Sequence, residues 1–305
     1  MKVCVTGGAG FIGSHLTDAY LAAGHDVVVL DNFVTGKEVN VASSSARVVR
    51  MSLNHPDLDA FFDDERFDIV NHHAAHMELR VSLDSPLHDA ESNILGSIRV
   101  MEAARRNGVQ HLVLASTGGA VYGVQDYYPA DENHPTRPES PYAVAKRSME
   151  LYADYYRTVQ GMSITTMRYT NVYGPRQNPF GEAGVIAIFL QKWIDGGTPY
   201  MYGDGEQTRD YIYISDVVRA NMIATERRLQ GIYNCCTGIE TSLNTIVDNM
   251  RKAYRGETPI HRTDAKAGDL RRSVCSSMKL QEATGWHPAV GVEEGIGKTV
   301  AWFTR

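Results

Sequence analysis

The sequence predicts an α/β fold, a doubly wound parallel sheet followed by a smaller α/β carboxy-terminal lobe. Three observations predict it. A short apolar strand, Lys2–Thr6, runs directly into Gly7–Gly8–Ala9–Gly10–Phe11–Ile12–Gly13 and then into a stretch of helical composition. Strand and helix signals alternate from there to Arg168. The chain has 305 residues, 43% hydrophobic and 22% charged, enough to bury both faces of a sheet. The expected division is 1–170 for the sheet domain and 171–305 for the second lobe, the two interleaved.

Taken in order, Lys2–Thr6 opens the sheet, Ser14–Ala23 is helical up to Gly24, and Asp26–Leu30 is a second strand closing at Asp31. Glycines at 7, 10 and 13 permit a tight turn, close backbone approach to a pyrophosphate, and close helix–strand packing, with the helix amino terminus facing the phosphates. Asp31, 18 residues past Gly13, sits where a carboxylate binds both ribose hydroxyls and repels a 2′-phosphate, so NAD is expected rather than NADP. This is a Rossmann-type unit. Strand Arg47–Arg50, a helix from Pro56 to about Asp64 and strand Phe67–Val70 follow. A single long helix is expected over Pro86–Asn107, closed by Gly108, with Leu87, Ile94, Ile98 and Met101 as its apolar stripe. Strand Gln110–Ala115, a helix opening at Pro141 and strand Ser163–Arg168 complete the alternation. In the second lobe, Glu182–Asp195 reads as a helix, Pro199–Tyr202 and Tyr211–Ile214 as strands, and Ser215–Arg228, Ser242–Arg255 and Val292–Phe303 as amphipathic scaffold helices.

A net charge of −6 and a pI of about 6.0 argue against a nucleic-acid surface. No apolar run approaches the ~18 residues of a membrane span, and the first strand begins at residue 2, so a cytoplasmic protein is expected. Cys4, Cys235, Cys236 and Cys275 lack CxxC spacing and read as buried free thiols.

Ser140–Pro141–Tyr142–Ala143–Val144–Ala145–Lys146 carries the chemistry. Proline suits a first helical turn, and Tyr142 and Lys146 are then i and i+4 on one face. A phenol titrates near ~10 in water, and a lysine cation beside it is expected to lower that value and make a proton shuttle.

The motifs Thr6–Gly13 (TGGAGFIG), His72–Ala75 (HHAA), Asn93 within NILGS, Ser116–Gly123 (STGGAVYG), Tyr142–Lys146 (YAVAK), Asn171–Arg176 (NVYGPR) and Arg209–Tyr211 (RDY) together span nearly the whole chain. In these motifs the sequence resembles the extended short-chain dehydrogenase/reductases of the NAD-dependent epimerase/dehydratase family. The resemblance implies NAD held by Gly7, Gly10, Phe11, Ile12, Gly13, Asp31, Asn32, Ser52, Leu53, His73, Ala74, Ala75, Asn93, Tyr142, Lys146 and Tyr169. Similar proteins often carry Asp after the third strand to meet the adenine amino group, where this chain has Met51–Ser52–Leu53. It also implies a UDP-sugar bound by Thr117, Gly118, Tyr142, Asn171, Val185, Tyr200, Tyr202, Arg209, Lys266, Asp269 and Ser273. His72, His73 and His76 fall beside the cofactor in the resemblance, and no metal is expected there. It further implies a homodimer, with helices Pro86–Asn107 and Tyr142–Gln160 pairing across a two-fold axis and Tyr152, Tyr155, Tyr156 and Val159 as the apolar load.

The segment before Val121 discriminates among chemistries. Related dehydratases carry Asp-Glu there and related decarboxylases Glu, because elimination needs an acid and a base. Gly119 and Ala120 can move no proton, so the implied activity is 4-epimerisation of a UDP-hexose, by oxidation and re-reduction at one carbon. Aligned back from Val121, the family's hydroxyl donor falls on Gly118, so Thr117 or Ser116 must serve, and Thr117 is preferred. Two other outcomes remain open: a related enzyme acting on another nucleotide sugar, as a UDP-glucuronate 4-epimerase or a net nucleotide-sugar oxidoreductase, and a non-catalytic NAD-sensing protein.

Overall fold

The computed structural model describes residues 1–77, 79–180, 184–265 and 268–305, with the backbone alone for 79–81. In chain order the elements are β1 (Lys2–Thr6), α1 (Phe11–Ala22), β2 (Asp26–Asp31), β3 (Arg47–Arg50), α2 (Leu58–Glu65), β4 (Ile69–His72), α3 (Leu79–Asp84), α4 (Pro86–Ala90), α5 (Gly96–Arg106), β5 (His111–Thr117), α6 (Pro141–Thr158) and β6 (Ile164–Tyr169). Then follow β7 (Asn171–Tyr173), α7 (Val185–Ile194), β8 (Tyr200–Tyr202), β9 (Thr208–Tyr213), α8 (Ile214–Arg227), β10 (Gly231–Cys235), β11 (Glu240–Ser242), α9 (Leu243–Ala253), β12 (His261–Thr263), β13 (Arg272–Ser273), α10 (Met278–Thr284) and α11 (Val292–Phe303). The chain divides into two compact units. The first comprises 1–121, 138–168 and 218–233, the second 122–137, 169–217 and 234–305.

The first unit is built on a sheet of order β10-β6-β5-β4-β1-β2-β3, and its pairings from β3 through β5 are parallel. Alternation along the strands fills two cores. Cys4, Val28, Leu30, Val70, Leu112 and Leu114 meet Leu58 and Phe62 of α2, Val100 and Met101 of α5, and Met149 of α6. Val3, Val5, Val27 and Ile69 point the other way, onto Leu16 and Tyr20 of α1 and Val218 and Met222 of α8. A strand buried on both faces must be apolar at nearly every position, which is why KVCV and DVVVL read as continuous runs. Among the polar residues that cross this rule, Asn71, wholly buried, donates to the Tyr20 hydroxyl at 3.0 Å, tying β4 to α1. All four cysteines are free and buried.

Several boundaries shift by one to three residues; the fourth strand is Ile69–His72 rather than Phe67–Val70, and α1 already includes Phe11–Gly13. The long helix expected over Pro86–Asn107 is found, unbroken from Pro86 to Arg106, but α4 and α5 are joined within it by a π turn, Glu91–Leu95, that the apolar stripe did not announce. The Asn93 side chain bonds both the N–H and the C=O of His76, each at 2.8 Å, and Ser97 Oγ donates to Asn93 O at 2.6 Å. The extra residue of a π turn rotates what precedes it off the stripe. Met101 is therefore buried while Leu87 is 80% exposed.

In the second unit, β9 is flanked by β11 and β13 and also pairs with β7, while β8 pairs with β12. Buried Asp210 holds it together, accepting from Thr237 N–H and Oγ1 and from Gly238 N–H at 2.7–3.0 Å. Helix α7 spans Val185–Ile194; the start expected at Glu182 lies outside the described residues.

Candidate functional site

Because the strands are parallel, Thr6, Asp31, His72 and Thr117 all fall at one edge of the sheet, at the carboxyl ends of β1, β2, β4 and β5. Open α/β sheets place their ligands there. The glycine loop closes only on glycine: a Cβ on Gly13 would stand 2.2 Å from Gly7 O, and one on Gly7 would lie 2.7 Å from Ala74 N. Gly7 also has φ +67°, which disfavours any side chain. Gly10 caps α1 without a side-chain acceptor, so first-turn N–H groups are left for an anion. Asp31 is buried, its Oδ2 accepting from Ala9 N–H at 3.0 Å and its Oδ1 from Phe33 N–H at 2.8 Å. A fixed carboxylate beside a bare helix terminus fits a dinucleotide with free ribose hydroxyls. Asn32 is exposed, and its Oδ1 accepts from Val34 N–H. Ser52 Oγ accepts from Asn54 N–H, and Leu53 packs on the α2/α5/α6 core and against Gly96.

At the end of β4 a directed hydrogen-bond chain fixes a tautomer. Ala74 N–H donates to Thr6 Oγ1, Thr6 Oγ1 lies 2.7 Å from His72 Nδ1, His72 Nε2 lies 3.0 Å from Ser97 Oγ, and Ser97 donates to Asn93 O. Ser97's proton is spent on Asn93, so His72 Nε2 carries a hydrogen and Nδ1 accepts from Thr6. Burial first, and the Lys146 charge second, hold His72 down to about 3, a neutral ring. Asn93, expected on the cofactor, instead spends its amide on His76 and on Asp89 Oδ1 at 2.9 Å. His73, Ala74 and Ala75 remain half-buried just past the strand.

Helix α6 is capped by Ser140 Oγ, which accepts from Ala143 N–H at 3.2 Å, with Pro141 in the first turn. Lys146 Nζ donates to Ala115 O at 2.9 Å and lies 5.9 Å from the centre of the Tyr142 ring. Burial lowers the Lys146 ammonium to about 8, with Asp89 and Glu150 opposing. The expected lowering of the phenol is not found: burial pushes Tyr142 above its ordinary value, and Asp89 adds to the rise. The lysine is spent on a strand carbonyl, and desolvation of the phenolate wins.

The two hydroxyls ending β5 part ways. Ser116 is buried and donates to Glu150 Oε1 at 2.6 Å. Glu150 in turn takes Arg168 Nε at 2.8 Å and Nη2 at 2.7 Å, plus Arg147 Nη1 at 3.0 Å. Burial would raise the Glu150 carboxyl, but these donors outweigh it and hold it below the usual range. Ser116 thus faces the interior, correcting its candidacy as donor, while Thr117 is half-buried on the alternate side and Gly118 is buried. Asp89, Ser97, Glu150 and Arg168 escaped the sequence reading; only Glu150, one turn beyond Lys146, offered a spacing signal.

In the second unit, Asn171 Nδ2 donates to Asp210 O at 3.2 Å. Arg209 reaches Asp269 Oδ1 at 2.7 Å and Thr208 O at 2.9 Å, joining two of the expected substrate residues. Ser273 pairs in register with Arg209 and is buried. Arg271 is taken by Asp204 and Arg272 by Glu240, with Arg272 also lying over Tyr128 at 3.9 Å. Val185 opens α7 half-buried, Tyr200 is exposed beside His261, Tyr202 is half-buried, and Tyr169 is buried. Lys266 lies outside the described residues.

A glycine-loop dinucleotide fold with a Tyr-x3-Lys helix defines the class of short-chain dehydrogenase/reductase proteins. The sequence pattern of the NAD dependent epimerase/dehydratase family matches residues 3–236, and the chain belongs to that family. It is 40% identical over 303 residues to a putative UDP-glucose 4-epimerase of Methanocaldococcus jannaschii, covering 99% of this chain and 98% of that one. It is similar to the crystal structure of Thermotoga maritima UDP-glucose 4-epimerase with UDP-glucose, at TM-score 0.96 and 38% identity, covering 100% and 99% of the two chains. For Thermus thermophilus UDP-glucose 4-epimerase in complex with NAD the figures are 0.94, 42%, 100% and 99%.

Proposed function

We propose that this protein is an NAD-dependent UDP-hexose 4-epimerase, interconverting UDP-glucose and UDP-galactose. The observation that carries the reading is half-buried Tyr142 with buried Lys146 one turn on in α6, Thr117 ending β5 and no proton-moving side chain in Gly118–Ala120. Such a site can oxidise and reduce one carbinol carbon and lacks the groups for elimination. Bound NAD supplies the hydride acceptor, the returning hydride and, when oxidised, a positive charge that favours phenolate. Tyr142 Oη takes the proton of the sugar 4-hydroxyl and gives it back after the ketone has turned over. Thr117 Oγ1 holds that oxygen, and Lys146 adds positive charge and binds the nicotinamide ribose. Gly7–Gly13 and the α1 terminus bind the pyrophosphate, and Asp31 the adenosine ribose. In the second unit, Arg209 supplies a forked cation for the UDP diphosphate and Asn171 a second contact, while Tyr200 and Tyr202 flank the uracil.

The protein works as a cytoplasmic homodimer in this reading. Support comes from an apolar surface on the first unit, where Leu87, Leu151, Tyr152, Tyr155 and Val159 are exposed. Tyr156 does not belong to it: the ring is buried and its hydroxyl donates to Glu102 at 2.7 Å. Among the described residues no helix is long and apolar enough to cross a membrane.

The test is turnover of UDP-galactose by purified wild-type protein and by Tyr142→Phe. A ~10²–10⁴-fold fall in kcat in the variant is expected. No interconversion by the wild type sinks the reading.

A further inference from the structure

The first unit holds a buried carboxylate that the proposed chemistry leaves unused. Asp89, on α4, is 1% exposed, yet among the described residues no cation lies within ion-pairing distance of it. Its one described hydrogen bond is from Asn93 Nδ2, at 2.9 Å. The other buried carboxylate near α6, Glu150, is fully met by Arg168, Arg147 and Ser116. An unpaired buried carboxylate is costly and persists where its charge has use. Helix α4 and the π turn both pack on α6, which carries the mirror case: the buried Lys146 ammonium, whose described contacts are both uncharged, a hydrogen bond to Ala115 O and the Tyr142 ring. Each of these two groups feels the other's charge, and Tyr142 feels Asp89 as well.

We propose that Asp89 is a positioning residue of the Tyr142/Lys146 pair, serving as counter-charge to the buried Lys146 ammonium and so setting the pH range in which the pair works. The inference rests on the reading above in taking Tyr142 and Lys146 as the working pair. Besides Lys146, the charges acting on Asp89 are those of His76 after β4 and His88 on α4, and the elements packed beside it also carry the described carboxylates Glu91 in the π turn, Glu150 on α6 and Asp84 on α3. Asn93 donates to the carboxylate while both ends of its amide hold the His76 backbone, so Asp89 is tied by one hydrogen bond to a side chain that is itself fixed.

The sign of the effect is fixed. Removing a negative charge disfavours the neighbouring ammonium and favours the neighbouring phenolate, so both groups titrate at lower pH. The experiment compares wild-type holoenzyme with Asp89→Asn, which keeps an oxygen for Asn93 Nδ2, and with Asp89→Ser, which lacks the charge and fits any space aspartate fills. Lys146 is followed by NMR of 13Cε-lysine-labelled protein, its signal assigned by loss in Lys146→Met, alongside kcat/KM against pH. The Lys146 midpoint is expected to fall by about 1 pH unit in both variants, with both limbs of the rate profile moving the same way. An unmoved or raised Lys146 midpoint in either variant overturns the proposal. The NMR arm needs no turnover, so it separates failure of this inference from failure of the epimerase reading.

Discussion

The Ser116 hydroxyl donates to Glu150 across 2.6 Å, turning the first of two adjacent hydroxyls on β5 into part of a buried charge network. Its neighbour Thr117 takes the other side of the strand. Thr117→Ala is therefore expected to lower kcat by ~10²-fold or more with the fold intact. Ser116→Ala is expected to cost ~1–3 kcal/mol of stability through the unmet carboxylate lone pair, with the smaller loss of rate. Steady-state kinetics and urea unfolding of the two variants decide the matter, and the reverse order of rate losses contradicts it.

Gly13→Ala places a methyl 2.2 Å from Gly7 O, inside backbone that cannot yield. Protein carrying this change is expected to release no NAD on denaturation, whereas wild-type protein releases NAD and not NADP. Chromatography of the released nucleotide reads both, and NADP from the wild type would count against Asp31 as the selecting group.

His72 is expected to stay neutral, with its hydrogen on Nε2, from pH 8 down to pH 5. His111 should behave alike: burial, then the Arg228 charge, bring it to about 4, and its Nε2 lies 3.1 Å from a Thr165 hydroxyl that donates to Leu229 O. Unfolded imidazoles take up protons near ~6.5, which these folded ones refuse, so their contribution to stability is complete above that pH. It is lost as pH falls toward 3–4. Long-range 1H–15N spectra across this range show tautomer and charge directly. A cationic His72 at pH 5 would break the chain from Thr6 to Asn93.

Ser273 carries no aromatic ring to crowd the sugar proposed to bind there, and the two arginines before it are held elsewhere by Asp204 and Glu240. UDP-N-acetylglucosamine is thus expected to be a substrate alongside UDP-glucose. Ser273→Tyr should cut its relative kcat/KM by more than the ~10–200-fold of a single methylene. An unchanged ratio removes Ser273 as the gate.

For the proposed dimer, Leu151→Glu combined with Val159→Glu puts two charges into the exposed apolar face. Light scattering at micromolar concentration is expected to give a dimer for the wild type and a monomer for the variant.

Much of this was legible in residues whose chemistry is local. The glycine loop, Asp31 and the Ser140–Pro141 helix start each depend on neighbours in sequence, so pattern alone placed them. What escaped depends on distant partners. The π turn arises because Asn93 binds a backbone segment seventeen positions earlier, a pull that no helical periodicity records. Likewise, the fate of Ser116 is set by Glu150 and Arg168, and the phenol's rise by burial among packed helices. Spacing brought Lys146 beside Tyr142 but could not say that Ala115 O would claim its ammonium.

The threefold interleaving of the two units has a consequence for biosynthesis. The first unit takes its closing segment from residues 218–233, after the chain has already laid down 122–137 and 169–217 of the second. As the polypeptide leaves the ribosome, an early product ending near residue 170 has its glycine loop and its Tyr142 helix but lacks the whole of α8 and β10. Val218 and Met222, which cover Val3, Val5 and Ile69, have not yet emerged. That face of the nascent sheet, covered by α1 alone, must stay partly open, as a client for chaperones, until about three-quarters of the protein has been translated.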